Sequence, residues 1–470
     1  MINTRIEHDS IGSMAVPADA YYGIQSQRGI RNFQISGQKM HPLFIRNLAI
    51  IKKACAIVNQ HAGTLSKRKA TAIIKACNYV CDHSMTKEFL LDPIQGGAGT
   101  SANMNMNEVI ANLSNQFLGY PLGSYEEIHP NDDVNMGQST NDTIPTAGKL
   151  TVLALAAPLL HELKRLETTL HDKGIEFLDI VKMGRTQLQD AVPMTLGDSF
   201  FAYTSMVRRC HNRIQASLQE MYEVNLGGTA IGSGMNTSDY YFDHIVPMLS
   251  KLTSVPLRSS DNLYDSTENL DSFVAVSGAL KSCAISLSKM CNDFRLLSSG
   301  PRCGLHEINL PAKQNGSSIM PGKVNPVIPE VVSQVAFLVA GHDTTITLAA
   351  EAGQMELNAF EPVLFHQLFE SITCMTNAVK TLTDNCVNGI TANAKHCSDL
   401  VESSTGICTA LAPVLGYQKA AEIAKNALRR NTSIRVEALR SGLIEEGELD
   451  ELLDIKKSLR KDPISVPKAI

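Results

Sequence analysis

Apolar residues recur at alternating intervals of three and four through the middle of the chain. Phe273, Val276, Leu280, Cys283, Leu287, Met290, Phe294 and Leu297 form one unbroken stripe, and Phe365, Leu368, Ile372, Met375, Val379, Leu382 and Cys386 form another. Leu159, Leu163, Leu166 and Leu170 repeat the pattern. Residues so spaced share one face of an α-helix, so each stripe predicts the seam of a coiled-coil-like bundle. Long helices are therefore expected from Pro145 to about residue 390. At the helical rise each would run about 40 Å. That is long for one globular domain, so bundles from several subunits are expected to pack together.

Shorter periodic segments at about 43–61, 66–83 and 105–117 predict three helices upstream. Residues 1 to about 45 read as irregular, with Pro17, Gly23, Gly29 and Gly37 breaking any period and Val16–Gly23 an ordered coil. Beyond about 395 the pattern shortens into two or three small helices, the last at Glu445–Leu459. The expected architecture is mainly α in three parts: a mostly helical 1–142, a long-helix bundle 143–394 and a small helical 395–470.

Composition agrees with helix packing. The chain has 470 residues, 44% of them hydrophobic but only 5% aromatic and none Trp, so Leu, Ile, Val, Met and Ala must fill the interior. A net charge of −5 offers no basic field for nucleic acid. The 11 cysteines are odd in number and scattered, which fits a reducing compartment better than a disulfide framework. Cys77, Cys81 and His83 come nearest to a metal cluster, but no second pair stands at zinc-finger spacing, so no metal site is assigned. The N-terminus lacks a signal-type apolar run and no segment reaches about 18 uninterrupted apolar residues. A cytoplasmic protein without a membrane partner is expected.

Candidate chemistry sits in five polar loops. Gly316–Pro326 (GSSIMPGKVNP) combines glycines, two hydroxyls, a lysine and an asparagine. Such a loop can turn several donors and one positive charge toward a small anion. Gln95–Ser101 is a glycine-rich turn before a helix, another anion-binding pattern, although helix capping alone uses the same residues. Pro130–Asp142 is dense in amides and hydroxyls, a composition that suits side chains directed at a ligand as well as a capping surface loop. Gly184–Pro193 and Gly227–Asn236 complete the set as breaks in the bundle.

Together these stretches resemble the fumarase/aspartase superfamily, whose hallmark is Gly-Ser-Ser-x-Met-Pro-x-Lys-x-Asn, as at 316–325. Val16–Asp19, Gly97–Ser101, Ser139–Asp142, Gly184–Thr186 and Gly227–Asn236 look like family blocks in family order, and the likeness spans nearly the whole chain. It implies a homotetramer around a shared helix bundle, active sites assembled from three subunits, and anti elimination from a C4 dicarboxylate to give fumarate. Class II fumarases are similar but carry His after Gly-Arg-Thr, where this chain has Gln187. Hydroxide needs a general acid to depart, whereas an ammonium group is already protonated. The resemblance therefore favours the ammonia-lyase branch acting on L-aspartate, with a class II fumarase as the alternative. Gly322, a residue usual in fumarases, is one departure. A catalytically silent protein on the same fold would be expected to have a damaged loop, and this one is intact.

By that resemblance, Ser317 is the base that takes the C3 proton. Thr100, Ser139, Thr140 and Ser318 hold the β-carboxylate, Lys323 and Asn325 the α-carboxylate, and Asn141, Thr186 and Gln187 surround the amino group. No cofactor is implied, although relatives can be activated by Mg²⁺.

Overall fold

The structure, a computed structural model, describes residues 3–454. It opens with strands β1 (Thr4–Asp9) and β2 (Gly12–Pro17), an antiparallel hairpin where irregular chain was expected. Polar pairing hides this hairpin from any hydrophobic pattern. The Arg5 side chain donates to Glu7 and to the carbonyls of Pro17, Ala20 and Tyr22, and the buried Glu7 accepts from the Ile24 N–H. Helix α1 (Ile24–Asn32) follows, again unforeseen because Gly29 lies inside it, packed on Leu91.

Helices α2 (Pro42–His61), α3 (Lys67–Asp82) and α4 (Thr100–Phe117) match the periodic segments, although α4 begins five residues earlier than expected. Helix α5 (Thr140–Glu176) is 37 residues long. After it, β3 (Val181–Thr186) and β4 (Gln189–Thr195) make an antiparallel hairpin in place of the expected loop, leading into α6 (Leu196–Ser217). Short strands β5 (Glu223–Val224) and β6 (Arg258–Ser259) pair in parallel around α7 (Asp239–Thr253). Beyond α8 (Asp265–Glu268) comes α9 (Asp271–Leu297). Strand β7 (Ile308–Asn309) precedes α10 (Val327–Glu351) and α11 (Glu361–Asn385), then pairs with β8 (Thr391–Ala392). The chain continues through α12 (Ala394–Ser403), α13 (Ala412–Leu415), α14 (Tyr417–Arg430), α15 (Ile434–Ser441) and α16 (Glu446–Leu452), more short helices than anticipated. The end of the expected Glu445–Leu459 helix lies outside the described residues.

Every residue of the three apolar stripes is buried. The chain divides into two compact units, one of Met1–Leu160, Asn212–Ser282 and Phe337–Thr376, the other of His161–His211, Cys283–Ala336 and Asn377–Ile470. In the first, Phe44, Phe273 and Phe369 surround Phe365, and α5 meets that ring at Gly148, where a Cβ would stand 2.6 Å from it. In the second, Phe177, Phe200, Tyr203 and Phe294 form an aromatic cluster, while Ile407, Leu411, Ile423, Ile434 and Leu449 gather the C-terminal helices around Met183 of β3.

By length and composition alone, α5, α9 and α10 would suffice to cross a membrane, but two-thirds of the relevant α5 window (67%) is buried within the protein. Only 33% of the α10 window is buried, and Phe337, Leu338 and Leu348 stand exposed along it.

Candidate active site

The expected site residues fall into two groups, one in each compact unit. In the first unit, Gly97 and Gly99 turn with φ of 81° and 85° to start α4 at Thr100. The Thr100 hydroxyl donates to the Gly97 carbonyl at 2.8 Å. Thr100 and Ser101 line a cavity of about 500 Å³ with Arg28, whose guanidinium is held by Asp9.

Ser139, Thr140 and Asn141 form the turn into α5, and Asp142, the last residue of the Ser139–Asp142 block, shapes it. Asp142 is fully buried and accepts N–H groups from Ser139 (2.9 Å), Gly227 (3.0 Å) and Thr229 (3.1 Å). One carboxylate thus ties the amide-rich loop to the glycine-rich loop 227–236. Burial pushes its carboxyl up to about 6, against the opposing pull of those three N–H donors. Asn141 adds a second tie, its Nδ2 donating to the Ala230 carbonyl at 2.7 Å. Its Oδ1 is left as the acceptor. Ser139 Oγ accepts the Asn141 N–H at 3.2 Å, and Thr140 Oγ1 accepts from Asn103 Nδ2 at 3.3 Å.

Behind this turn lies Lys52 of α2, outside all five polar loops and buried with Leu48, Ile51 and Cys55. Its ammonium donates to Asn103 Oδ1 (2.6 Å), Asn135 Oδ1 (2.9 Å) and Gln138 Oε1 (2.8 Å). Burial brings its pKa down to about 8. The amide-rich composition of 130–142 suits a ligand or a capping loop, and two of its amides, Asn135 and Gln138, meet the chain's own lysine instead. A lysine within the apolar face of a helix was the available signal.

In the second unit, Thr186 and Gln187 stand at the tip of the β3–β4 hairpin. Thr186 pairs with Gln189 across a two-residue turn in which Gln187 and Leu188 have φ of 53° and 63°. Two successive positive φ angles are the mark of a type I′ turn, whose twist suits a hairpin. The base of the tip is fixed by a fully buried carboxylate, Glu307. Arg185 Nη1 donates to Glu307 Oε1 at 2.6 Å, and Lys182 Nζ lies 3.1 Å from Oε2 in an ion pair without hydrogen-bond geometry.

The loop 316–326 is closed at its neck. The Gly316 N–H donates to the Lys323 carbonyl at 2.9 Å, and Asn325 Nδ2 donates to the Gly316 carbonyl at 2.6 Å. A Cβ on Gly316 would lie 2.5 Å from the Lys323 oxygen, so only glycine allows this approach. Inside the loop, Ser317 Oγ accepts the N–H groups of Ile319 (3.2 Å) and Met320 (3.0 Å). Ser318 and Lys323 are exposed, as are Ile319 and Met320. Two convergent amide donors on one hydroxyl oxygen favour negative charge there.

Such loops, carried on a long-helix frame, have close counterparts among known proteins. Residues 12–341 match the family described as lyase, and 407–457 match the fumarase C C-terminus. Aspartate ammonia-lyases from a Bacillus species (48% identical, over 96% of this chain and 97% of the relative), Helicobacter pylori (49%, 95% and 96%) and Escherichia coli (47%, 97% and 96%) are similar end to end. Among solved structures, the fumarate lyase:delta crystallin from Brucella melitensis bound to cobalt superposes with a TM-score of 0.94 at 46% identity, covering 97% of this chain and 99% of that one. A class II fumarase from Schistosoma mansoni gives 0.94 at 33%, covering 98% and 100%. The chain belongs to the fumarase/aspartase superfamily of lyases and, within it, to the aspartate ammonia-lyases. It is accordingly a carbon–nitrogen lyase.

Proposed function

We propose that this chain catalyses the reversible anti elimination of ammonia from L-aspartate to give fumarate, with Ser317 as the base. The observation that carries the proposal is the pair of N–H groups converging on Ser317 Oγ. A serine hydroxyl is a very weak base, and each pKa unit it must fall requires about 1.4 kcal/mol of preferential stabilisation of the alkoxide. The Ile319 and Met320 amides, with Lys323 nearby in the loop, supply such stabilisation. It strengthens once water is excluded, which is the role we give to closure of the loop over the substrate.

Ser317 takes the C3 proton, and the electron pair left behind delocalises into the β-carboxylate as an aci-carboxylate. Thr100, Ser139, Thr140 and Ser318 hold that group by hydroxyl donors. The pair then forms the C2–C3 double bond as the C2–N bond breaks, and nitrogen leaves with the bonding electrons as ammonia. In this reading Lys323 and Asn325 bind the α-carboxylate, and Asn141, Thr186 and Gln187 surround the amino group. Gln187 supports deamination over dehydration because its amide has no proton to give a departing hydroxide at neutral pH.

We further read the protein as a cytoplasmic homotetramer with sites shared between subunits and the three-part division 1–142, 143–394 and 395–470. The apolar exposure of Phe337, Leu338 and Leu348 on α10 supports that assembly. The chemistry calls for no cofactor, and any Mg²⁺ would act as an activator.

Supplying L-aspartate and L-malate separately and following fumarate absorbance tests the reading. Fumarate from L-aspartate alone is expected. Fumarate from L-malate alone would make the protein a fumarase, and none from either would make it catalytically silent.

A further inference from the structure

Lys52 carries a positive charge with no exposed surface, no carboxylate within hydrogen-bond reach among the described residues and no part in the proton transfer proposed above. An ammonium group can only donate, so whatever faces it must present an acceptor. Its three donors meet three amide oxygens, and this fixes which way round each amide sits. For Asn103, Oδ1 lies on the lysine at 2.6 Å, which turns Nδ2 toward Thr140 Oγ1 at 3.3 Å and toward Asn135 Oδ1 at 3.2 Å. The Thr143 hydroxyl gives its one hydrogen to the Ser139 carbonyl at 2.8 Å, so the lysine is what holds Asn103 Oδ1. Asn135 and Gln138 are held the same way, their nitrogens turned to the Gln138 carbonyl and to those of Val134 and Met136.

A hydroxyl has one hydrogen to give. Were Asn103 reversed, its oxygen would face Thr140 and capture that hydrogen. In the observed orientation Thr140 accepts from Asn103 and keeps its hydrogen for another acceptor.

We propose that Lys52 is a positioning residue: by locking the Asn103 amide with its nitrogen on Thr140, it commits the Thr140 hydroxyl to donating to a carboxylate of the substrate. The inference rests on the reading that Thr140 binds the dicarboxylate. Lys52 touches no substrate atom. It acts through one amide, and its loss converts a committed donor into a hydroxyl shared with Asn103.

Asn103→Asp provides the sharpest test, because a carboxylate keeps the bond to Lys52 as an ion pair yet presents an acceptor to Thr140. With L-aspartate and with fumarate plus ammonia, kcat/KM is expected to fall about ten- to a hundred-fold, the worth of one hydrogen bond to a charged group, with KM raised and kcat lowered together because the same carboxylate gains charge in the transition state. Lys52→Met should move kcat/KM the same way. If it fails to fold, Asn103→Asp alone decides. Thr140→Val is the reference, and in that background Asn103→Asp should add less than about twofold, because the two changes remove one interaction. Independent multiplication of the two effects, or an unchanged kcat/KM in Asn103→Asp, overturns the role of Lys52 while leaving Thr140 in the site. An unchanged kcat/KM in Thr140→Val overturns the substrate-site reading itself, and the role of Lys52 with it.

Discussion

Glu307 has no exposed surface, and Arg185 reaches it at 2.6 Å from the strand that ends in Thr186. A buried carboxylate between Arg185 and Lys182 is costly to break, since removing one partner leaves uncompensated charge. Glu307→Gln should lower stability by about 3 kcal/mol, seen as a thermal midpoint several degrees below wild type. It should also raise KM, because the tip carrying Thr186 and Gln187 loses its anchor. An unchanged midpoint would mean that the ion pair contributes nothing net.

Ser317→Ala removes the proposed base without touching the hydrogen bonds at the neck of the loop. Turnover of L-aspartate should fall to below about a thousandth of wild type, within the range of general-base contributions. Gel filtration should show the assembly unchanged. Activity near wild type would mean that another group takes the proton. For Lys323→Ala, steady-state kinetics should show both a raised KM and a lowered kcat.

Gly316→Ala places a methyl group against the Lys323 carbonyl, which is backbone and cannot swing aside. The hydrogen bond between these residues should be lost, and kcat/KM for L-aspartate should drop at least about tenfold, one hydrogen bond's worth. Retained kcat/KM would show that the neck is not needed for turnover.

The Asp142 carboxyl, raised by burial from its ordinary 3.8 to about 6, gives a pH signature. Folded protein holds that proton more tightly than unfolded chain does. Its contribution to stability is therefore fully present below about pH 4 and lost as pH rises to about 6. Asp142→Asn lacks this titration, so wild type should lose thermal midpoint relative to the variant across that window. Parallel curves would show that the group ionises as it does in water.

The long helices were legible because their cores are purely apolar: each residue of the Phe273–Leu297 stripe repeats on one face and is buried. Both hairpins escaped notice for the opposite reason. The first is organised by Arg5 and Glu7, and the second turns at Gln187-Leu188, which lacks the Asn-Gly signature although its backbone adopts the same geometry. The start of α4 was missed because Thr100 and Ser101 are polar and Gly99 caps the helix with its backbone alone. The candidate hydroxyls and amides stand in motifs that the sequence displays directly. Lys52 shows in the sequence only as a charge on an apolar helix face, and Asp142 and Glu307 only as acidic residues, because a buried charge is recognised by what surrounds it and most of those partners lie far away in sequence.

The double stitch between Gly316 and Lys323–Asn325 bears on the thermodynamics of ligand capture. A loose ten-residue segment would surrender conformational entropy at every residue when it settles over a bound molecule. Here the ring from 316 to 325 is already tied at its neck, so fewer of its residues remain to be ordered. More of the ligand's binding free energy then remains available for the difference between ground state and transition state.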